Sequence, residues 1–284
     1  MENENTWSGE RLETFILNSN TVEHLHRYSI AIRFIKNKTV LDIACGEGYG
    51  SNLLAKYATA VIGVDSDELT INAATTKYKG ENLEFKVGSA DSIPLKTSSV
   101  DVVVSFETLE HHDKHNEMLS EIKRVLVPNG ILIMSSPNKT YYSDVRDYKN
   151  PFHVKELYPQ QFKDLINAYF LNTTYYIQNM FNGSLIIPEQ KSNGFDFFEG
   201  DYQDINLAST FKPMYCLVIA SDNAVVSENG ISCFNGETIF LKEQALLSDV
   251  LTKQAREDGI HWIKNSWSYK IGNAILKPFK FFRR

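Results

Sequence analysis

The sequence predicts an α/β protein built on a doubly wound parallel sheet, with a helical extension at its C-terminal end. Three observations lead there. Short apolar runs rich in β-branched and aliphatic residues recur at the start of 39–51 (TVLDIACGEGYGS), at 60–65 (AVIGVD), at 83–88 (LEFKVG), at 100–106 (VDVVVSF) and in GILIMSS. Such runs suit strands buried on both faces. Segments with helical spacing alternate with them, and a glycine-rich turn joins the first run to the first of these helices.

Each element follows in order. TVLDI enters the turn, NLLAKYA continues at helical spacing, and AVIGVD returns as a strand ending in an acid, which completes a βαβ unit. Residues 67–79 are expected to be helical, followed by the strands LEFKVG and VDVVVSF. A helix from His115 to about Leu126 closes at Pro128-Asn129-Gly130, and GILIMSS is the fifth strand. After Pro137 a Tyr-rich polar segment precedes NPFHVKELYPQQFKDLINAYF, where Pro159 suits a first helical turn. TTYYIQNM and MYCLVIAS are expected to complete a seven-stranded sheet as an antiparallel pair, with SNGFDFFEGDYQD as an acidic aromatic loop between them. From Gly236 to about Glu257 a separate helical pattern runs into a basic tail. The expected organisation is a helical lead-in at 1–38, a ligand-binding core at 39–222 and a helical extension at 223–284.

The 284 residues are 43% hydrophobic and 12% aromatic, enough to bury a substantial core and too many for a disordered or collagen-like chain. The formal charge of −6 is unevenly spread, because every residue after Asp258 is free of acid while Lys264, Lys270, Lys277, Lys280, Arg283 and Arg284 lie there. The body therefore carries −12, which argues against a nucleic-acid partner. The start MENENTWSGE lacks the basic and apolar pattern of a secretory leader, and Cys45, Cys216 and Cys233 form no paired framework. The expectation is a cytoplasmic chain with reduced thiols. No stretch reaches the roughly 20 apolar residues that span a bilayer.

The turn after the first strand places backbone N–H groups and a helix N-terminus beside a ligand. Its glycines are spaced G-x-G-x-G at Gly46, Gly48 and Gly50, and Ser51 stands where a dinucleotide fingerprint needs its third glycine. Asp42 precedes the turn inside the strand, where a carboxylate would repel a pyrophosphate and suit a ligand bearing an ammonium and a sulfonium. That chemistry points to S-adenosylmethionine as cofactor, with S-adenosylhomocysteine as product.

VLDIACGEGYG, the strand-end Asp65, GSADSIPL and VDVVVSFETLEHH together resemble the class I S-adenosylmethionine-dependent methyltransferases of the type 11 kind, over about residues 22–170. The resemblance implies a Rossmann-like, seven-stranded class I methyltransferase fold. It implies that Asp42, Ala44, Gly46 and Gly48 line the methionine and ribose portions of the cofactor, with Ala44 departing from the family's usual glycine. Asp65, 19 residues past Gly46, would accept both ribose hydroxyls, since two ionised oxygens suit a vicinal diol. Asp91 would hold the adenine amino group, with Ala90 and Ser66 near the ring, and Phe106 and Glu107 would face the sulfonium. A helix-capping role is the alternative for Asp65 or Asp91 taken singly.

A hydroxyl acceptor needs a base. His153, in the loop after the fifth strand, is the preferred base, with His111 or Glu110 as the alternative and a capping histidine as the plain structural reading. His111 and His115 are spaced for a metal if helical, yet no third ligand stands at a fixed spacing, so no metal is expected. His24, His26, Arg27 and Tyr28 are expected on a helix over the cofactor mouth. Arg27 or Tyr28 would meet the methionine carboxylate there, unless this is a surface helix with Tyr28 packed inward.

The lead-in GERLETF…EHLHRYSIA also resembles bacterial methyltransferases of polysaccharide and glycan biosynthesis. The expected activity is methylation of a sugar hydroxyl in surface-polysaccharide or related glycan biosynthesis. Methylation of a lipid or quinone-like molecule, or a non-catalytic cofactor-binding subunit, is the alternative. The tail places Trp267, Ile271, Ala274 and Ile275 on one stripe, with Pro278 ending the helix. Residues 259–284 are read as an attachment element, either at the inner membrane's anionic interface or at a docking or homodimer contact.

Overall fold

The computed structural model describes residues 11–181, 198–200, 205–207, 212–223 and 230–276. Asn18 opens α1 (Ser19–Ile32) by accepting from the Thr21 N–H, and Thr21 returns the contact through its own hydroxyl. The core then runs β1 (Thr39–Ile43), α2 (Tyr49–Ala55), β2 (Ala60–Asp65), α3 (Glu68–Lys77), β3 (Leu83–Val87), β4 (Val100–Phe106), α4 (His115–Val125) and β5 (Leu126–Pro137). A short 3-10 turn at Leu109–His111 lies between β4 and α4. After β5 come a π-turn at Thr140–Asp144, α5 (Pro159–Asn167) and β6 (Asn172–Gln178). A small hairpin of β7 (Phe198–Gly200) and β8 (Ile205–Leu207) precedes β9 (Tyr215–Ser221).

Seven strands form one sheet in the order β3-β2-β1-β4-β5-β9-β6. Parallel pairing joins the first five, and β9 runs antiparallel to both β5 and β6. The expected antiparallel pair is thus present, with β9 inserted between β5 and β6. The order in which successive strands are added reverses between β1 and β4, the crevice where open α/β sheets place their ligands.

Two apolar clusters cover the faces. One packs Leu41, Val103 and Met134 against Ile122 of α4 and Phe162 of α5, and the other packs Val40, Val104 and Ile133 against Tyr28 of α1 and Leu54 of α2. Alternate residues of the same strands supply the two clusters, which is why these strands read as unbroken apolar runs. The Pro128-Asn129-Gly130 segment lies inside β5 as a bulge with Asn129 at φ +73°, so α4 passes into the strand without a separate loop.

Within the expected acidic loop Phe198–Gly200 form β7, and β8 follows directly after it; the rest of the loop lies outside the described residues. The first compact unit ends at Phe234, beyond the expected boundary at residue 222. The reason is a return to α1, where Ser232 Oγ lies 2.9 Å from His26 Nε2 and the Phe234 ring 6.1 Å from the His26 ring.

The second unit, Asn235–Arg284, contains α6 (Glu237–Asn265) and α7 (Trp267–Leu276). α6 continues past the expected end near Glu257, since Gly259 alone does not stop it. The break falls at Ser266, whose hydroxyl accepts from the Tyr269 N–H and starts α7. Trp267 and Ile271 are exposed on α7; the side chains of Ala274 and Ile275, and residues 277–284 with Pro278, lie outside the described residues. Among the described residues no helix is long and apolar enough to cross a membrane.

Candidate active site

A cavity of about 460 Å³ opens at the carboxyl ends of β1, β2, β3 and β4. The β1 turn forms its floor. Ala44 and Gly46 hold left-handed backbone angles of φ +59° and +53°, and both line the cavity. A side chain at φ > 0 is strained, so Ala44 stands where glycine would be relaxed. Gly46 donates its N–H to Asp65 Oδ2 at 2.9 Å, tying the turn to the end of β2. The other Asp65 oxygen accepts the Asp67 N–H at 3.0 Å and faces Arg11 at 3.5 Å, while Arg11 sits closer to Asp67, at 3.0 Å.

Asp42 does not line the cavity. It is buried beneath the turn, accepting from Ser51 Oγ at 2.7 Å and from the Tyr28 hydroxyl at 3.4 Å to each oxygen. Burial, reinforced by the nearby Asp65 charge, pushes its carboxyl up to about 7 against the lowering effect of those two hydroxyls. The third glycine has a packing role, because a Cβ on Gly50 would lie 2.0 Å from the Tyr28 ring. Gly48, at φ +87°, is likewise behind the cavity, its Cβ position 2.8 Å from Phe85.

Ser66, Ala90 and Asp91 line the adjoining wall. Asp91 pairs with Lys114 at 2.5 Å and accepts from the Ser89 hydroxyl, contacts that hold its carboxyl at about 2. Phe106 and Glu107 end β4 at the cavity, with Glu107 at φ +54°. Glu107 Oε1 accepts from Ser135 Oγ at 2.6 Å and lies 3.4 Å from Arg27 Nη1.

Arg27 is fully buried and outside the lining. Its Nε donates to Gln178 at 2.7 Å, its guanidinium lies 4.2 Å from the Tyr215 ring centre, and it backs Glu107. The same helix sends His24 and Tyr28 to the cavity and His26 away to Ser232.

The three residues read as base candidates, Glu110, His111 and His153, come together at the far end of the cavity, with one ligating atom of each inside a 4.8 Å span. Glu110 is 1% exposed; burial first, then the Glu107 charge, raises its carboxyl well above the usual range. Its backbone carbonyl accepts from Val154 and Lys155 at 2.8 and 3.0 Å, clamping the loop that carries His153 onto the 3-10 turn. His153 Nδ1 lies 2.5 Å from Glu156 Oε1, Nε2 lies 3.0 Å from Asn150 Nδ2, and the ring stacks on Tyr142. His111 and His115 do not share a helix. The 3-10 turn ends at His111, His112 is extended, and His115 Nε2 turns back to the His112 carbonyl at 2.8 Å.

Sequence reading missed Glu156, Asn150, Tyr142, Arg11 and Lys114. Glu156 and Asn150 flank His153 by three residues on either side, a signal present once that loop is known to enter the cavity.

Comparison with known proteins adds a family match, two relatives and a solved structure. Residues 41–134 match the family model described as a methyltransferase domain. A probable S-adenosylmethionine-dependent methyltransferase of Mycolicibacterium smegmatis is 39% identical over 132 residues, covering 46% of this chain and 51% of that protein. A ubiquinone biosynthesis O-methyltransferase of Pelagibacter ubique is 31% identical over 113 residues, covering 39% and 47%. The chain thus spans about half the length of the curated relatives it matches. Among solved structures, a SAM-dependent methyltransferase from Archaeoglobus fulgidus superposes with a TM-score of 0.52 at 21% identity, over 71% of this chain and 92% of that one, a likeness of fold.

Proposed function

We propose that the chain is a class I S-adenosylmethionine-dependent methyltransferase that transfers a methyl group to a hydroxyl of a polar small-molecule or glycan acceptor; its methyltransferase-domain match and the relatives of that kind support the reading. The observation that carries the reading is one cavity joining the Ala44–Gly46 floor and Asp65 to the Glu110–His111–His153 cluster. The wall fits the cofactor. Acids at Asp65, Asp91, Glu107 and Asp113 outnumber the bases Arg11 and Lys114, which suits a cationic ligand. Asp65 would hold the ribose diol, since Arg11 retains Asp67 as its nearer partner, and Asp91 with Ala90 and Ser66 would hold the adenine. Bound there, the cofactor supplies an electrophilic methyl on sulfur, so the protein mainly positions the acceptor oxygen and removes its proton. His153, oriented by Glu156, is the base in this reading, with His111 and Glu110 beside it.

A sugar hydroxyl in surface-polysaccharide or related glycan biosynthesis is the favoured acceptor. Leu12 and Ile43 are the branched aliphatics of the lining, whereas Asn150, Tyr142, His111 and His153 crowd the acceptor end, a wall suited to hydroxyls more than to a lipid chain. The second reading, a quinone-like acceptor, draws on the ubiquinone biosynthesis relative. Exposed Trp267 and Ile271 flanking Lys270 support the tail as an attachment element at a membrane surface or a second copy. Liposome flotation with and without residues 259–284 separates these, since equal partitioning leaves the second copy.

The test is S-adenosylhomocysteine release with nucleotide sugars and oligosaccharides on one side and catechols and quinols on the other. Turnover on sugars supports the reading; turnover only on phenols replaces the acceptor. Binding of S-adenosylhomocysteine without turnover on either set leaves a non-catalytic cofactor-binding subunit.

A further inference from the structure

We propose that Glu110, His111 and His153 bind one divalent cation at the acceptor end of the cavity, and that this cation holds and acidifies the acceptor hydroxyl. The role given to the cation rests on the methyl-transfer reading above; the binding site stands on its own geometry.

The donor set converges from two separate segments. Glu110 and His111 come from the 3-10 turn after β4, His153 from the loop before α5, and two backbone hydrogen bonds to the Glu110 carbonyl lock the segments together. One ligating atom from each residue lies within a 4.8 Å span. Bonds of about 2.1 Å would close that triangle with side-chain shifts of roughly 1 Å.

A second, independent observation points to a ligand. Glu110 Oε1 is buried and has no hydrogen-bond partner among the described residues, while Oε2 has only a 3.3 Å contact from Ser136 Oγ. A buried carboxylate oxygen left unpaired is costly, and a cation bound by the Glu110 carboxylate would give it a partner.

Both imidazoles are held as metal-binding imidazoles are held. His153 Nδ1 meets the Glu156 carboxylate at 2.5 Å, and His111 Nδ1 meets the Phe152 carbonyl at 3.1 Å. Each contact places the ring proton on Nδ1 and the lone pair on Nε2, the arrangement that orients histidine ligands and raises their basicity. Asn150 Nδ2 lies 3.0 Å from His153 Nε2, a position it would yield to the cation, and it also reaches the Tyr142 hydroxyl at 3.2 Å.

Two imidazoles and one carboxylate leave several coordination positions open and suit a first-row divalent ion such as Mn²⁺ over Ca²⁺. Glu107, which lines the same cavity, adds to its negative charge. An acceptor hydroxyl taking an open position becomes more acidic. With His153 Nε2 on the cation, His153 positions the cation and no longer serves as the base: the acceptor proton leaves to solvent water, its oxygen lone pair forms the O–CH₃ bond, and the S–CH₃ bonding pair returns to sulfur as a neutral thioether. The cation keeps its oxidation state throughout.

The test uses the full chain stripped with a chelator, titrated calorimetrically with MnCl₂, with S-adenosylhomocysteine titrated into the same preparation. The expected result is one Mn²⁺ per chain, weakened at least about tenfold in Glu110→Gln and in His153→Ala, with S-adenosylhomocysteine affinity changed by no more than about twofold. If either variant fails to fold, Glu156→Gln, which removes the carboxylate behind His153, should weaken Mn²⁺ several-fold by the same mechanism. A stripped protein that takes up no Mn²⁺, or folded variants that bind it as the parent does, overturns the site. Loss of S-adenosylhomocysteine binding by the parent would instead overturn the cofactor reading.

Discussion

Glu156 Oε1 stands 2.5 Å from His153 Nδ1, with the two side chains only 8% and 7% exposed. A buried carboxylate behind an imidazole fixes its tautomer and its aim, whether Nε2 meets a proton or a cation. Glu156→Gln is therefore expected to lower turnover by roughly 10- to 100-fold while leaving S-adenosylhomocysteine affinity within about twofold. Initial-rate kinetics beside calorimetry check this. A variant with full turnover would leave Glu156 as a loop-packing residue, held by the Ser143 hydroxyl at 2.5 Å.

Gly50 is required by Tyr28. A methyl group at Gly50 would sit 2.0 Å from the tyrosine ring, so α1 could no longer press its phenol against Asp42. Gly50→Ala is expected to destabilise the protein by about 1–3 kcal/mol, as overpacking does. The double variant Gly50→Ala/Tyr28→Ala should cost less than the sum of its parts, because the clash disappears with the ring. Urea unfolding of the four proteins measures this, and strict additivity would show that the two positions do not meet.

Asp42 makes the cofactor-free protein sensitive to pH. Its folded carboxyl titrates at about 7 against an ordinary value of 3.8, because it is buried near Asp65. Between those values the folded chain holds a proton that the unfolded chain has released, so stability falls as pH rises, by at most about 1.4 kcal/mol per pH unit, and levels off above pH 7. Asp42→Asn should remove that component. The check is the difference in unfolding free energy between parent and variant at pH 5, 6, 7 and 8; a difference that does not change with pH would contradict it.

The sheet was legible because its central strands are buried on both faces. Val40, Leu41 and Val102 to Val104 all point into one apolar cluster or the other, leaving unbroken hydrophobic runs bounded by turns. The cavity wall was legible for a related reason, since Gly46, Asp65 and Asp91 lie at or just past the ends of β1, β2 and β3 and their spacing follows from the fold's repeat.

The acceptor side was only half legible. His111 and His153 stood out singly, but their 5.2 Å ring contact joins two loops and leaves no periodicity. The i, i+4 spacing of His111 and His115 does not put them on one helix, because the extended backbone at His112 interrupts it. Sequence alone does not tell whether Arg27 or Tyr28 meets the ligand; the partners that bury Arg27, Glu107 after β4, Gln178 of β6 and Tyr215 of β9, are distant in the chain.

The central claim, that the strand-end acids of this cavity hold S-adenosylmethionine, is tested most directly by calorimetric titration of S-adenosylhomocysteine into the parent and into Asp65→Ala. The account predicts one site per chain in the parent and an affinity at least about 30-fold weaker in the variant, a loss near 2 kcal/mol for hydrogen bonds to a charged acceptor. A parent that does not bind, or a folded Asp65→Ala that binds equally well, would contradict it.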